Sequence, residues 1–217
     1  MKNKLMDFVE SLAQQKVGRQ AFNQYSEENF PGFFTTKLNL LLYLTQMKQR
    51  KPKTMLLGEA PGYKGCKLTG VPFTSERIIS RSNRFDLFGY SEDIWDLLEE
   101  RNVKLQTEST ATIVWEILEK YNFCPLLWNS YPFYTYDKKN NKPNRQPSNK
   151  ELKEGQKFMV ELIKLFKIKN IIAVGNSAQK TLNLSGIPYY PVKHPAYGNK
   201  DAFEKEIKKL RGEKKIS

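Results

Sequence analysis

The chain has 217 residues, enough for one domain with a sizeable core. It holds no apolar run of about 18 residues, which argues against a membrane span, and its charged N-terminus, MKNKLMDFVESLAQQ, lacks the apolar centre of a signal peptide. Lys and Arg number 36 against 23 Asp and Glu, a net charge of +13, which favours a polyanionic partner, most simply nucleic acid, over a neutral or acidic one.

From these features the expectation is a cytoplasmic monomer with no membrane partner. The competing explanation of the charge is a lysine-rich surface set by genomic base composition. The two cysteines, Cys66 and Cys124, cannot supply the four thiolates of an iron–sulfur cluster and form no C-x-x-C pair, so they read as ordinary reduced thiols.

In chain order, Leu5, Phe8, Val9 and Leu12 share one face of a first helix, which Gly18 follows. Tyr25 to Phe34, with Pro31 and Gly32, reads as irregular. Thr36 to Arg50 is a second helix with Leu38, Leu41, Leu42 and Thr45 on its apolar face, and Pro52 stops it. Met55-Leu56-Leu57 is a buried parallel strand ending at Gly58. Three helices are expected next, over Ile78 to Phe88, Ser91 to Arg101 and Thr110 to Tyr121, the last with Ile113, Ile117 and Leu118 inward. Cys124 to Trp128 is a second strand and Ser130 to Pro147 a long polar and aromatic loop.

Ser148 and Glu151 form a capping box that opens a helix to about Lys167, with the stripe Phe158, Leu162, Leu165 and Phe166. Asn170 to Val174 is a third strand. Gly175-Asn176-Ser177 turns it into a short helix, Ala178 to Leu184. Ile187 to Val192 is a fourth strand, Asp201 to Leu210 a closing helix, and 212–217 a frayed basic tail. Strands alternating with helices give an α/β fold, a three-layer αβα sandwich around a central, mostly parallel four-stranded sheet, as one domain over residues 1–217.

Open α/β sheets bind ligands at the carboxyl ends of their strands. Three such ends carry polar groups here: Glu59, Asn129 and His194. His194 is the single histidine of the chain. A lone histidine is as a rule structural, but this one follows a strand and precedes Pro195-Ala196-Tyr197-Gly198-Asn199-Lys200. Asn129 has an alternative use as a turn residue, and Glu59 as a loop carboxylate with no reaction to run. Phe73, after Pro72, is either a core anchor or an aromatic that stacks on a planar ligand. The Gly175-Asn176-Ser177 turn offers backbone donors to a phosphate. In the loop after Asn129, Tyr131, Phe133, Tyr134 and Tyr136 interleave with Lys138, Lys139, Lys142 and Arg145. That pattern suits a nucleic-acid backbone and unstacked bases, and its alternative is a plain surface excursion.

Taken together, Gly58-Glu59-Ala60-Pro61-Gly62, Gly70-x-Pro72-Phe73, Asn129, Asn144-Arg145-x-Pro147 and His194-Pro195-Ala196 resemble, in that order, the motifs of the uracil-DNA glycosylase superfamily. The GEAPG opening is similar to the thermophile-type branch, and the spacing of GYKGCKLTGVPF is similar to the single-strand-selective monofunctional branch. The resemblance covers most of Lys53 to Lys200. It implies hydrolysis of the N-glycosidic bond of deoxyuridine, or of a related damaged base, in DNA, without cofactor or metal.

It also implies roles. Phe73 stacks on the flipped base. Asn129 reads the uracil edge, His194 donates to uracil O2, and Glu59 positions or activates water. Gly58, Ala60 and Gly62 line the pocket. Asn144, Arg145, Ser177, Tyr197 and Lys200 meet DNA, with Tyr197 as the wedge and Lys200 as a phosphate contact.

The chain departs from the pattern in two places. It lacks the cysteines of the thermophile-type cluster. Ala60 stands where the monofunctional branch carries an asparagine, which leaves Glu59 as the acidic group of that motif. Gly65 and Cys66 lie near the position that excludes the thymine methyl in some branches. Asn122 competes with Asn129 as the base-reading amide, but Asn129 ends a strand, whereas Asn122 ends a helix or begins the strand, on the wrong edge of the sheet. The rival reading from another class is a nucleic-acid-binding protein that keeps the fold without the reaction. A Rossmann-like nucleotide enzyme ranks last, for want of a glycine-rich dinucleotide fingerprint.

Overall fold

The structure, a computed structural model, describes residues 4–28, 33–80, 85, 87–88, 104–140, 143–196 and 198–216. Among them the elements run α1 (Lys4–Ala13), β1 (Ala21–Phe22), α2 (Phe33–Arg50), β2 (Thr54–Gly58), α3 (Cys66–Thr69), α4 (Glu76–Ile79), α5 (Ser109–Lys120), β3 (Leu126–Asn129), β4 (Tyr134–Thr135), α6 (Asn149–Phe166), β5 (Asn170–Val174), α7 (Gly175–Ser185), β6 (Tyr190–Val192) and α8 (Lys200–Gly212). The main sheet has the order β3-β2-β5-β6 and is parallel throughout. Every residue of β2 is buried, as expected of a strand with helices over both faces. The fold is therefore a three-layer αβα sandwich.

Because β2 comes first in the sheet and lies inside it, the chain leaves β2 for β3 on one side and returns to β5 on the other. That reversal opens a crevice beyond the carboxyl ends of β2 and β5. α7 packs on both of those strands and α8 on β6. On another flank Phe8 of α1 meets Trp128 of β3 and Phe158 of α6, and Phe158 in turn meets Phe133. Gly155 lets α6 press on the segment after β3, since a Cβ there would lie 2.1 Å from the Ser130 carbonyl oxygen. No helix among the described residues is long and apolar enough to cross a membrane.

Several sequence expectations are corrected. The core face of α2 is Leu40, Tyr43, Leu44 and Met47, while Leu38 and Leu42 are exposed. Both faces of this helix are leucine-rich, so periodicity admits two solutions. The buried one contains Tyr43, whose hydroxyl accepts the Leu127 N–H at the free edge of β3 (2.7 Å) and so satisfies a donor that would otherwise be orphaned. The helix expected from Ile78 is one turn, Glu76–Ile79, and that expected over Ser91 to Arg101 lies outside the described residues.

The fourth strand begins at Tyr190 rather than Ile187. Ile187 instead donates its N–H to the Leu182 carbonyl, past Gly186 in the left-handed conformation, and so belongs to the C-cap of α7. The tail is not frayed as far as it is described. Lys214 adopts φ +55°, Lys215 donates back to the Leu210 carbonyl, and Ile216 is buried in the core. In the loop after β3, Tyr131, Phe133 and Tyr134 are core residues. β4 pairs antiparallel with β1, so these rings are unavailable to stack on bases.

Candidate active site

The crevice at the sheet reversal is a cavity of about 480 Å³. The register of β2 and β3 sets Gly58 beside Asn129, so the ends of both strands deliver side chains to the same wall. The chain stays paired beyond the strands: Ser130 donates its N–H and its hydroxyl to the Gly58 carbonyl (2.9 and 2.7 Å), and Tyr131 donates to that of Glu59. Asn129 is buried, with its Nδ2 3.9 Å from Cys66 Sγ. Asn122, by contrast, is exposed just beyond the C-terminus of α5.

Phe73 closes a second wall. A Cβ on Gly58 would lie 2.4 Å from Phe73 Cζ and 2.9 Å from Asn129 Oδ1, so the ring and the amide meet over the one strand residue that has no side chain. The ring is held there at some conformational cost, since Phe73 has φ +54°. Side-chain donors from three separate segments hold the loop. Trp115 Nε1 of α5 donates to the Phe73 carbonyl (3.0 Å), Tyr25 Oη to that of Gly70 (2.8 Å), and Thr69 Oγ1 to that of Thr74 (2.8 Å). Gly70 itself, at φ +77°, sits where a Cβ would meet the Thr36 carbonyl oxygen at 2.3 Å.

Across the cavity, the Glu59 carboxylate accepts a hydrogen bond from Ser177 Oγ, so the ends of β2 and β5 are tied by a side-chain pair. His194 follows β6 and packs against Gly175, at whose position a Cβ would come 3.3 Å from His194 Cβ. Burial lowers the His194 pKa below its ordinary 6.5 and favours the neutral ring. Its Nδ1 accepts the Ala196 N–H (3.2 Å). The ring proton therefore resides on Nε2, leaving a neutral donor for a ligand.

Ala60, Gly62 and Asn144 also line the cavity, Asn144 at an exposed position. Arg145 lines it too, but its guanidinium is engaged elsewhere. It makes two bonds to Glu151 (2.7 and 2.9 Å) and donates to the carbonyls of Gln20 and Gln146. Glu151 completes the capping box of α6 with Ser148. Lys200 is paired with both oxygens of Glu116 at 2.8 Å. Tyr197 lies outside the described residues.

Sequence reasoning missed Glu108, whose side chain lies on the cavity wall against Gly62 and Gly65. Burial pushes its pKa up to about 7. No local pattern marks it. It reaches the site because α5 is anchored to the Phe73 loop through Trp115.

An acid held by a hydroxyl, a buried amide, an aromatic ring and a neutral histidine donor thus face one cavity sized for a small molecule. Residues 45–212 match the family described as the Uracil DNA glycosylase superfamily. No curated protein matches the chain in sequence. Among solved structures, the SMUG2 protein of Pedobacter heparinus is 17% identical, with 98% of this chain and 96% of that one covered and a TM-score of 0.62. The UNG protein of Nitratifractor salsuginis is 12% identical over 100% and 92% of the two chains, with a TM-score of 0.45. The first likeness speaks to the fold alone, and it is the family match over most of the length that decides membership: the chain belongs to the uracil DNA glycosylase superfamily, whose general activity is that of DNA glycosylases.

Proposed function

We propose that this protein hydrolyses the N-glycosidic bond of deoxyuridine in DNA, releasing uracil and leaving an abasic site. The observation that carries the reading is the convergence of Asn129, Phe73 and the neutral His194 donor on one cavity at the sheet reversal. A base inside a duplex is out of reach of such a pocket, so it enters by extrusion, at a cost of a few kcal/mol.

In the pocket the Phe73 ring stacks on the base face. The Asn129 amide presents a donor to O4 and an acceptor to N3–H, a pairing that cytosine reverses. As the C1′–N1 bond breaks, its electron pair moves onto the base, and His194 Nε2–H donates to O2 where that charge collects. Such preorganised donors are worth about 3 kcal/mol. Positive charge grows on the sugar, and Glu59, oriented by Ser177, faces it. Water adds its oxygen to C1′ and passes a proton to Glu59, and the base anion later takes up a proton from solvent.

The test is release of uracil from an oligonucleotide carrying one deoxyuridine, single-stranded and opposite G or A. Abasic sites should form, and Asn129→Ala and His194→Ala should each lower the single-turnover rate by about 10²-fold or more. Retained DNA binding with no base release would point instead to a different damaged base or to a binding protein. Glu59→Gln should slow cleavage as well, and an unchanged rate would remove Glu59 from the chemistry.

A further inference from the structure

Glu108 has no role in the scheme above, and its position is costly. It immediately precedes α5, and its side chain is laid over the turn from Gly62 to Gly65. A Cβ on Gly65 would lie 1.6 Å from Glu108 Oε2, and one on Gly62 2.5 Å from Oε1. Both glycines thus leave open the space that the carboxyl fills. Among the described residues it has neither a cation nor a hydrogen-bond donor as partner. A carboxyl desolvated without a partner lowers stability, and an apolar side chain would fill the same space at less cost.

Its surroundings suggest a use. Gly65 adjoins Cys66, whose Sγ faces the Asn129 amide nitrogen, so the carboxyl continues the wall of the pocket from the side where Asn129 reads the base. Among the described residues, the other titratable groups on this cavity are Glu59 after β2, Cys66 of α3, His194 after β6 and Arg145 before α6. Burial keeps the Cys66 thiol neutral and disfavours charge on His194, while the Arg145 charge is held by Glu151. None of them supplies Glu108 with a counter-charge.

We propose that Glu108 is a specificity-determining residue: its neutral carboxyl donates a hydrogen bond to a carbonyl oxygen on the base edge that Asn129 reads, and its ionised form disfavours the same base. The proposal rests on the reading that the base occupies this cavity. A keto oxygen accepts where an exocyclic amino group donates, so a protonated carboxyl selects the former and a carboxylate the latter. The departing base also gathers negative charge, which a neutral donor stabilises and a carboxylate repels. With the pKa of Glu108 at about 7, both forms are populated near neutral pH.

The experiment compares wild type with Glu108→Gln, which keeps shape and a donor but cannot ionise. Single-turnover release of uracil from a deoxyuridine oligonucleotide is followed from about pH 6 to about pH 8.5, with calorimetric binding of free uracil to wild type over the same range. The wild-type rate and uracil affinity should fall by about tenfold per unit above the Glu108 pKa, while the variant stays flat and within a few-fold of wild type at the acid end. A flat wild-type profile, uracil affinity independent of pH, or a parallel fall in the variant would each overturn the assignment. Absence of base release and of uracil binding by folded wild type at every pH would remove the glycosylase reading itself, and this proposal with it.

Discussion

Gly58 has no room for a methyl group. Its Cα already faces the Phe73 ring and the Asn129 amide, and neither can retreat freely, because the Phe73 carbonyl is held by Trp115 and Asn129 is paired in the sheet. Gly58→Ala should therefore push the ring out of place, costing about 1–3 kcal/mol by overpacking and about 10²-fold in base release by misplacement. Chemical denaturation and single-turnover kinetics measure the two losses. A near-wild-type rate would show that the ring is not part of the binding geometry. Glu108 gives a stability prediction of its own. Its folded pKa of about 7 is raised from an ordinary 4.5, so the native state holds the proton more tightly than the unfolded one. The stability this confers is fully present below about 4.5 and is lost as pH rises through about 7. Glu108→Gln should consequently be the more stable protein at about pH 8, by on the order of 2–3 kcal/mol, and equal to wild type near pH 4. Equal stability at both pH values would mean that the carboxyl is solvated.

At the scale of elements, the start of α6 is a joint rather than a plain cap. The Glu151 carboxylate accepts from the Ser148 N–H and hydroxyl and from Arg145 Nη1 and Nη2, and Arg145 reaches back to the Gln20 carbonyl just ahead of β1. Burial pushes the Glu151 pKa up, but the Arg145 guanidinium and the Ser148 donors more than offset that and leave it below 4.5. This stabilisation is present above 4.5 and fades as pH falls through the lowered value. Arg145→Met should destabilise by about 2–4 kcal/mol at neutral pH, since it strands a buried carboxylate, whereas Ser148→Ala should cost about 1 kcal/mol. Thermal melts at neutral and acid pH check both, and a loss for Arg145→Met that persists unchanged at low pH would contradict the ion-pair account. The capping box was legible because its signal is local, Ser148 followed three residues later by Glu151. The buried strands β2 and β5 were legible for the same reason, as short apolar runs between turn residues. The inward face of α2 was not, because two leucine-rich faces compete and the choice rests on Tyr43 reaching an edge N–H on β3, far off in sequence. Arg145 read as a phosphate ligand for a similar reason: its partner Glu151 is close by, but only the folded loop turns the guanidinium toward it.

For the whole molecule, legibility followed topology. Strand ends collect at one rim of a parallel sheet, so Glu59, Asn129 and His194 could be named from their places after apolar runs. Glu108 could not, since it is brought in by a helix anchored elsewhere. The net charge of +13 works at the same scale. It is a field, and it acts on DNA through released counterions rather than through any single residue. Two cations expected at the phosphates are already paired, Arg145 with the buried Glu151 and Lys200 with the exposed Glu116. An exposed pair such as the latter is worth at most about 1 kcal/mol and exchanges readily for a phosphate, whereas the former does not. Lys138 and Lys139 are exposed just beyond β4, and Lys138 borders a surface groove with Tyr134 and Tyr136. If these lysines meet the backbone, Lys138→Gln with Lys139→Gln should weaken binding to any sequence alike. The slope of log affinity against log salt should become shallower by about 1–2, at roughly 0.7–0.9 for each phosphate the protein no longer neutralises. The double variant should keep its melting temperature, and once the oligonucleotide is saturating its single-turnover rate should match wild type. Titrations at several salt concentrations decide the matter: an unchanged slope places the DNA path away from this loop, and a lowered saturated rate would mean that the loop shapes the pocket rather than the approach to it.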